Sequence, residues 1–256
     1  MEFHHYIIAI IGGGLAGIIN TLAGNGSAIT LTILTEVLQL PGNLANGTNR
    51  VGIMSQSLVS TYVFYKNGKL KIWKSWPYIV LTVVGAIAGV IVATVVSNEQ
   101  FKSVFSFMMV AMFFVILIKP KRWLQKTDPN QTVNYWLAVP LFLGVGFYGG
   151  FIQMGMGIIF LAAMVMGARY SITDSNAVKI FVVALYTVFV IGIFHWKGMI
   201  DWKAGGVLAI GQTAGGWLAA NFASKYEKAD IWAYRLLVVI VVLAIAKLFG
   251  LFEWLF

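Results

Sequence analysis

Asn20-Thr21-Leu22-Ala23-Gly24-Asn25-Gly26-Ser27 lies in the middle of an apolar run from residue 6 to residue 40. As one straight helix that run would extend about 52 Å at ~1.5 Å per residue, well beyond a hydrocarbon core of about 30 Å. Gly24-Asn25-Gly26 breaks it, because glycine reaches the positive φ that a sharp reversal needs. The stretch therefore predicts a helical hairpin, or two short helices meeting at the turn, over 6–22 and 27–40.

Working outward, apolar segments follow at 44–65, 77–97 and 101–119, then at 134–152, 156–169, 171–195, 203–221 and 231–252. Between the two groups lies a polar stretch, Lys121 to Asn134, with Asp128-Pro129-Asn130 inside it. The runs are longer than barrel strands of about ten residues and do not alternate, so they read as helices. Of 256 residues, 59% are hydrophobic and only 11% are charged, where a soluble domain carries about 25% charged residues. Mean hydropathy is +0.84. These values exclude a soluble enzyme, a disordered chain and a free nucleic-acid binder, and they leave an all-α polytopic membrane protein. The absence of cysteine excludes disulfides, thiolate metal sites and a cysteine nucleophile. Met1 to Tyr6 lacks the basic start of a cleaved signal peptide, so the first run is expected to be retained.

The two groups of segments read as a duplication. Gly13 and Gly17 match Gly146 and Gly150, and Gly24-Asn25-Gly26 matches Gly155-Met156-Gly157. Lys66-Asn67-Gly68-Lys69-Leu70 matches Trp196-Lys197-Gly198-Met199-Ile200, and Trp73-Lys74 matches Trp202-Lys203. Gly85, Gly89 and Ala93 match Gly211, Gly215 and Ala219. Order makes the set stronger than any one glycine pair, and internal repeats are frequent in transporters. The expected division is 1–120 for the first repeat, 121–133 for a cytoplasmic linker and 134–256 for the second repeat. Five segments per half would invert the second repeat. Four, with 6–40 as one kinked crossing, would leave the repeats parallel. Segment length favours five plus five.

Net charge is +9. Lys66, Lys69, Lys71 and Lys74 share a side with Lys119, Lys121, Arg122 and Lys126, and the positive-inside rule makes that side cytoplasmic. The loop near Ser97-Asn98 has little charge. Both five-plus-five and four-plus-four satisfy the rule.

Polar residues inside apolar runs carry the candidate chemistry. A glycine turn before a helix presents free N–H groups and a partial positive charge, which attract anions. Bare backbone at membrane depth is tolerated where protein or a cavity surrounds it. The two turns, with Asn20, Gly24, Asn25, Gly26 and Ser27 in one half and Gln153, Gly155, Met156 and Gly157 in the other, form the first candidate. The second is Asn46-Gly47-Thr48-Asn49-Arg50 with Ser55, Gln56 and Ser57, paired with Thr173-Asp174-Ser175-Asn176-Ala177-Val178-Lys179. Arg50 and Lys179 each lie roughly 9–12 Å into a helix, where a cation faces a cavity or a partner, or snorkels to the headgroups. A doubly charged small anion suits such a pair. The expected substrate-binding set is Asn20, Gly24, Asn25, Gly26, Ser27, Thr48, Asn49, Arg50, Gln153, Gly155, Met156, Gly157, Asn176 and Lys179.

Glu36 is a candidate for proton coupling, although it also reads as a helix end before Pro41. His195 beside Trp196 reads as interfacial, and Gly85-x-x-x-Gly89 and Gly211-x-x-x-Gly215 as packing faces. Met154, Met156, Met164 and Met166 read as adaptable filler, since a soft-metal site lacks supporting Cys and His. Gly12-x-Gly14-x-x-Gly17 matches a dinucleotide fingerprint by letter but has no soluble strand before it. No metalloprotease, phosphate-loop or Gly-x-Ser-x-Gly motif is present, so no catalytic residues, metal or cofactor are expected.

Gly13 to Gly17 running into Leu22-Ala23-Gly24-Asn25-Gly26-Ser27, and Ala45-Asn46-Gly47-Thr48-Asn49, resemble the sulfite exporter TauE/SafE family. Gly149-Gly150 through Gly155-Met156-Gly157 to Asn176-Ala177-Val178-Lys179 is similar to that family's second repeat. The resemblance covers almost the whole chain. It implies a secondary transporter in the cell membrane that moves small anions, often sulfite, sulfonates or related sulfur compounds. Asn25 and Met156 depart from the small residues common at those places in the family. Alternating access built on the repeats is the leading reading, and an anion channel using the same midplane site is the alternative. The expected partners are a small anionic substrate, the lipid bilayer, a coupling proton or sodium ion and a second copy in a homo-oligomer, with no nucleic acid.

Overall fold

The computed structural model describes residues 3–95, 123–128, 130, 132, 134–151 and 153–248. The expected segment at 101–119, the loop at Ser97-Asn98, and Lys119, Lys121 and Arg122 lie outside the described residues. Every regular element among the described residues is helical. In the first half these are α1 (Phe3–Leu22), α2 (Ser27–Thr32), α3 (Gly42–Lys66) and α4 (Ile72–Ala93). In the second half they are α5 (Tyr135–Phe151), α6 (Met156–Ala162), α7 (Ile172–Trp196), α8 (Trp202–Lys225) and α9 (Ala229–Leu248). His4–Leu22, Ile72–Ala93 and Ile172–Trp196 are long and apolar enough to cross a membrane, and Ser27–Val37, Tyr135–Phe151 and Met156–Gly167 are shorter apolar helices.

The break expected in the first run is present. Gly24 adopts φ +86°, and α2 starts three residues later. Gly155 does the same at φ +78° before α6. Both short helices widen into a π turn, Ile33–Val37 and Ala163–Gly167, closed by Leu38 N–H to Ile33 O and by Ala168 N–H to Ala163 O. A positive-φ residue follows each, Gln39 and Arg169. Further on, Gly68 and Gly198 take φ +67° and +68° ahead of α4 and α8. The same sequence of breaks thus occurs in both halves.

The packing crosses between the halves. α1 lies along α8, and α5 lies along α4. A Cβ added to Gly211 would sit 2.0 Å from Ile10 O, and one on Gly17 would sit 2.4 Å from Gln212 O. In the other pair, a Cβ on Gly85 would sit 2.1 Å from Leu143 O, and one on Gly150 would sit 2.0 Å from Ala86 O. The small-residue faces are therefore backbone-to-backbone contacts, as membrane helices use them. α3 joins α1 and α8, and α7 joins α4 and α5, so two bundles form, each holding helices from both halves. They meet where α3 packs on α7 and where the two glycine turns touch: a Cβ on Gly24 would lie 2.5 Å from Gly157 Cα.

Candidate functional site

The broken helices set the local chemistry. The last four carbonyls of a helix have no partner within it, and in a bilayer each unsatisfied group costs several kcal/mol. α1 ends at Leu22, beside the seam between the bundles. Lys179 of α7 reaches across and donates from Nζ to Asn20 O at 2.8 Å and Thr21 O at 3.2 Å. Asn176 Nδ2 donates to Leu22 O at 2.9 Å, and its Oδ1 accepts from Lys179 Nζ at 2.5 Å. At the other break, Arg50 of α3 donates from Nη1 to Gly149 O at 3.1 Å and from Nη2 to Gly150 O at 3.2 Å. It also donates to Gln153 Oε1 and, at 3.4 Å, to Asn46 Oδ1. A cation at a helix C-terminus is favoured by the macrodipole as well as by these bonds.

Both cations are buried, Arg50 at 0% and Lys179 at 1% exposure. Neither snorkels. No carboxylate is among the buried polar residues described, and the one ion pair described, Arg169 with Asp128, is at the surface. Two positive charges therefore meet neutral oxygens at the seam.

Other expected residues join the same network. Asn20 Nδ2 donates to Gln56 Oε1 at 3.2 Å, and Gln56 Nε2 donates to Thr21 Oγ1 at 3.0 Å. Asn49 Oδ1 accepts from Thr30 Oγ1 at 2.6 Å and from Gln212 Nε2 at 3.4 Å. Tyr186 donates to Gln153 Oε1 at 3.1 Å, and its hydroxyl is 4.0 Å from the Met156 sulfur. Asn25 Oδ1, Ser27 Oγ, Asn49 Nδ2, Arg50 Nε and Ser175 Oγ are enclosed without a hydrogen-bond partner. Gly26 packs its backbone against Ala16 O, so it is a close-approach position within the turn.

Two expected residues stand apart from this network. Thr48 Oγ1 accepts from Asp201 N–H at 2.9 Å and so fastens the loop before α8. Glu36 is exposed on the π turn after α2, where Thr35 Oγ1 donates to it at 3.3 Å. Thr21, Thr30, Tyr186 and Gln212 are members that the residue pattern did not single out. Thr21 lies inside the quoted turn, Tyr186 aligns with Gln56 when α3 and α7 are superposed by their shared ends, and Gln212 sits within the α8 glycine face. Among the described residues, no group of three or more His, Cys, Asp or Glu could hold a metal ion.

The arrangement is a positively charged seam with unpartnered donors, lined by neutral oxygens. It can accept negative charge. The family model for the sulfite exporter TauE/SafE matches residues 9–248. A probable membrane transporter protein, ORF9, of Sinorhizobium sp is 25% identical over 252 residues, covering 97% of this chain and 94% of that one. A probable membrane transporter protein of Haemophilus influenzae is 28% identical over 221 residues, covering 83% and 81%. The probable membrane transporter protein YfcA of Escherichia coli K12 is 25% identical over 217 residues, covering 84% and 79%. No solved structure matches. The chain belongs to the sulfite exporter TauE/SafE family: it is a multi-pass transporter of the cell membrane, not an enzyme.

Proposed function

We propose that the protein is a secondary transporter of a small anion, either sulfite, a sulfonate or a related sulfur-containing anion. One observation carries the reading: Arg50 and Lys179 are both fully buried at the seam with no buried carboxylate described beside them. Buried charge without a counter-charge is costly, and a dianion entering the seam neutralises both. Arg50 Nε, Asn49 Nδ2, Ser27 Oγ and Ser175 Oγ are the enclosed donors free to meet it. Gly24, Asn25, Gly26, Gly155, Met156 and Gly157 shape the contact between the turns, and Asn20, Gln153 and Asn176 hold the cations in place.

In this reading 1–120 and 134–256 are inverted repeats and 121–133 is the cytoplasmic linker. Each cation belongs to one bundle and holds the broken helix of the other, which supports alternating access by rocking at the seam. The flux is driven by an ion or substrate gradient, and Glu36 has no place in the buried network. The test is uptake of labelled sulfite into proteoliposomes, with sulfate and a sulfonate as competitors, with and without a proton gradient. Saturable flux with trans-stimulation is expected. Non-saturable flux without trans-stimulation would make the protein a channel, and no flux from folded protein would remove sulfur anions as substrates.

A further inference from the structure

A charged cavity shares no lining residue with the cation clamps. It has a volume of about 450 Å³ and gathers the α3–α4 loop, the linker, the start of α7 and the junction of α8 with α9. That volume is in the range of small-molecule sites, ~300–1,000 Å³. Four lysines line it: Lys69, Lys71, Lys126 and Lys225. None is ion-paired among the described residues, where Arg169–Asp128 is the pair found.

Three carboxylates also line the cavity, Asp174, Glu227 and Asp230, so the lining keeps a net positive charge. Two of the three already serve the fold. Asp174 accepts from Thr127 Oγ1 at 2.6 Å. Asp230 accepts from Thr173 N–H at 2.8 Å and from its hydroxyl at 2.6 Å. Ser224 lines the same cavity with a hydroxyl that is enclosed and has no hydrogen-bond partner. The lysines alone follow from the positive-inside rule. A concave pocket that also holds an unpartnered hydroxyl and carboxylates already occupied by other donors does not.

We infer that this cavity binds a phosphate-bearing anion on the lysine-rich, cytoplasmic face, separate from the transport seam. Compact ammonium groups on flexible stems suit a phosphate as point charges, and the Ser224 hydroxyl adds a directional donor. The ligand would touch both halves and the linker together. A free phosphorylated molecule and an anionic lipid headgroup present the same chemistry.

The test uses the full chain. Delipidated protein in detergent is titrated with inorganic pyrophosphate by calorimetry, and protein in phosphatidylcholine nanodiscs is compared with protein in phosphatidylglycerol vesicles for retained lipid. The variants are Lys69→Gln/Lys71→Gln/Lys225→Gln and Ser224→Ala. The triple change should weaken pyrophosphate binding about tenfold or more, and Ser224→Ala a few-fold. Retained phosphatidylglycerol that the triple change removes, without pyrophosphate binding, would assign the lipid headgroup as the source. Anion binding or lipid retention unaltered by the triple variant, or pyrophosphate displaced by sulfite, would overturn the proposal. Sulfite transport itself reads the seam separately, so failure there leaves this result standing.

Discussion

Arg50 and Lys179 do one task with different inventories. A lysine ammonium has three donors, and Lys179 meets three acceptors: Asn20 O, Thr21 O and Asn176 Oδ1. A guanidinium has five. Arg50 uses its two Nη groups on Gly149 O, Gly150 O, Gln153 and Asn46 and leaves Nε unpartnered. The lysine clamp is closed and the arginine clamp has a donor left over. The surroundings differ in the same sense. Beside the first half's turn stand Gln56, Thr30 and Gln212, and the matching places in the second hold Tyr186, Phe160 and Ala86. One turn thus faces a polar wall and the other an aromatic and apolar one.

The comparison breaks most readily at the clamps. Arg50→Ala leaves four acceptors without that donor, and Lys179→Ala leaves three. Arg50→Ala should lower stability by about 2–5 kcal/mol, more than Lys179→Ala, and either change should reduce transport at least about 100-fold. Thermal unfolding in detergent and proteoliposome flux read the two effects. Transport surviving both substitutions would sink the site assignment. Arg50→Lys keeps the charge but loses the fork, so flux should fall about tenfold while the protein stays folded. Flux equal to the parent would mean the spare Nε has no part.

Smaller effects sharpen the contrast between the walls. Gln56→Ala removes bonds to Asn20 and Thr21, and about 1–2 kcal/mol of stability should go with them. Tyr186→Phe removes the bond to Gln153 and the weak one to the Met156 sulfur, for about 0.5–1.5 kcal/mol. If Tyr186→Phe costs more than Gln56→Ala, the second wall is the polar-dependent one and the comparison reverses. Ser55 and Thr213 share a hydroxyl contact of 2.6 Å between α3 and α8, away from both clamps. Ser55→Ala should change stability by roughly 0.6 kcal/mol, the usual interhelical value in membranes, and leave flux intact.

Much of this was legible from the residues. The glycine turns and the length of 6–40 gave the break, and 44–65 fell near α3 at Gly42–Lys66, whereas 77–97 missed the start of α4, at Ile72; that helix holds Pro77 inside it. The glycine pairs Gly85/Gly89 and Gly211/Gly215 were readable as packing faces. What each face packs against was not, because a small residue names no partner. The sequence also marked Arg50 and Lys179 as unusual without showing why they sit there. Their partners are main-chain carbonyls, which every residue carries and which leave no trace in the pattern. Tyr186 escaped notice for a related reason: a tyrosine in an apolar helix signals nothing until its hydroxyl is placed.

The exchange of helices between bundles has a consequence for how the chain is made. α1 finds its glycine-faced neighbour in α8, whose first residue is Trp202. At about 5–20 residues per second of synthesis, the first helix waits roughly 10–40 s for it. During that interval its small-residue face is open to lipid or to other helices in the bilayer. Insertion and assembly are thereby separated in time, and the first half is complete only when the second has been translated.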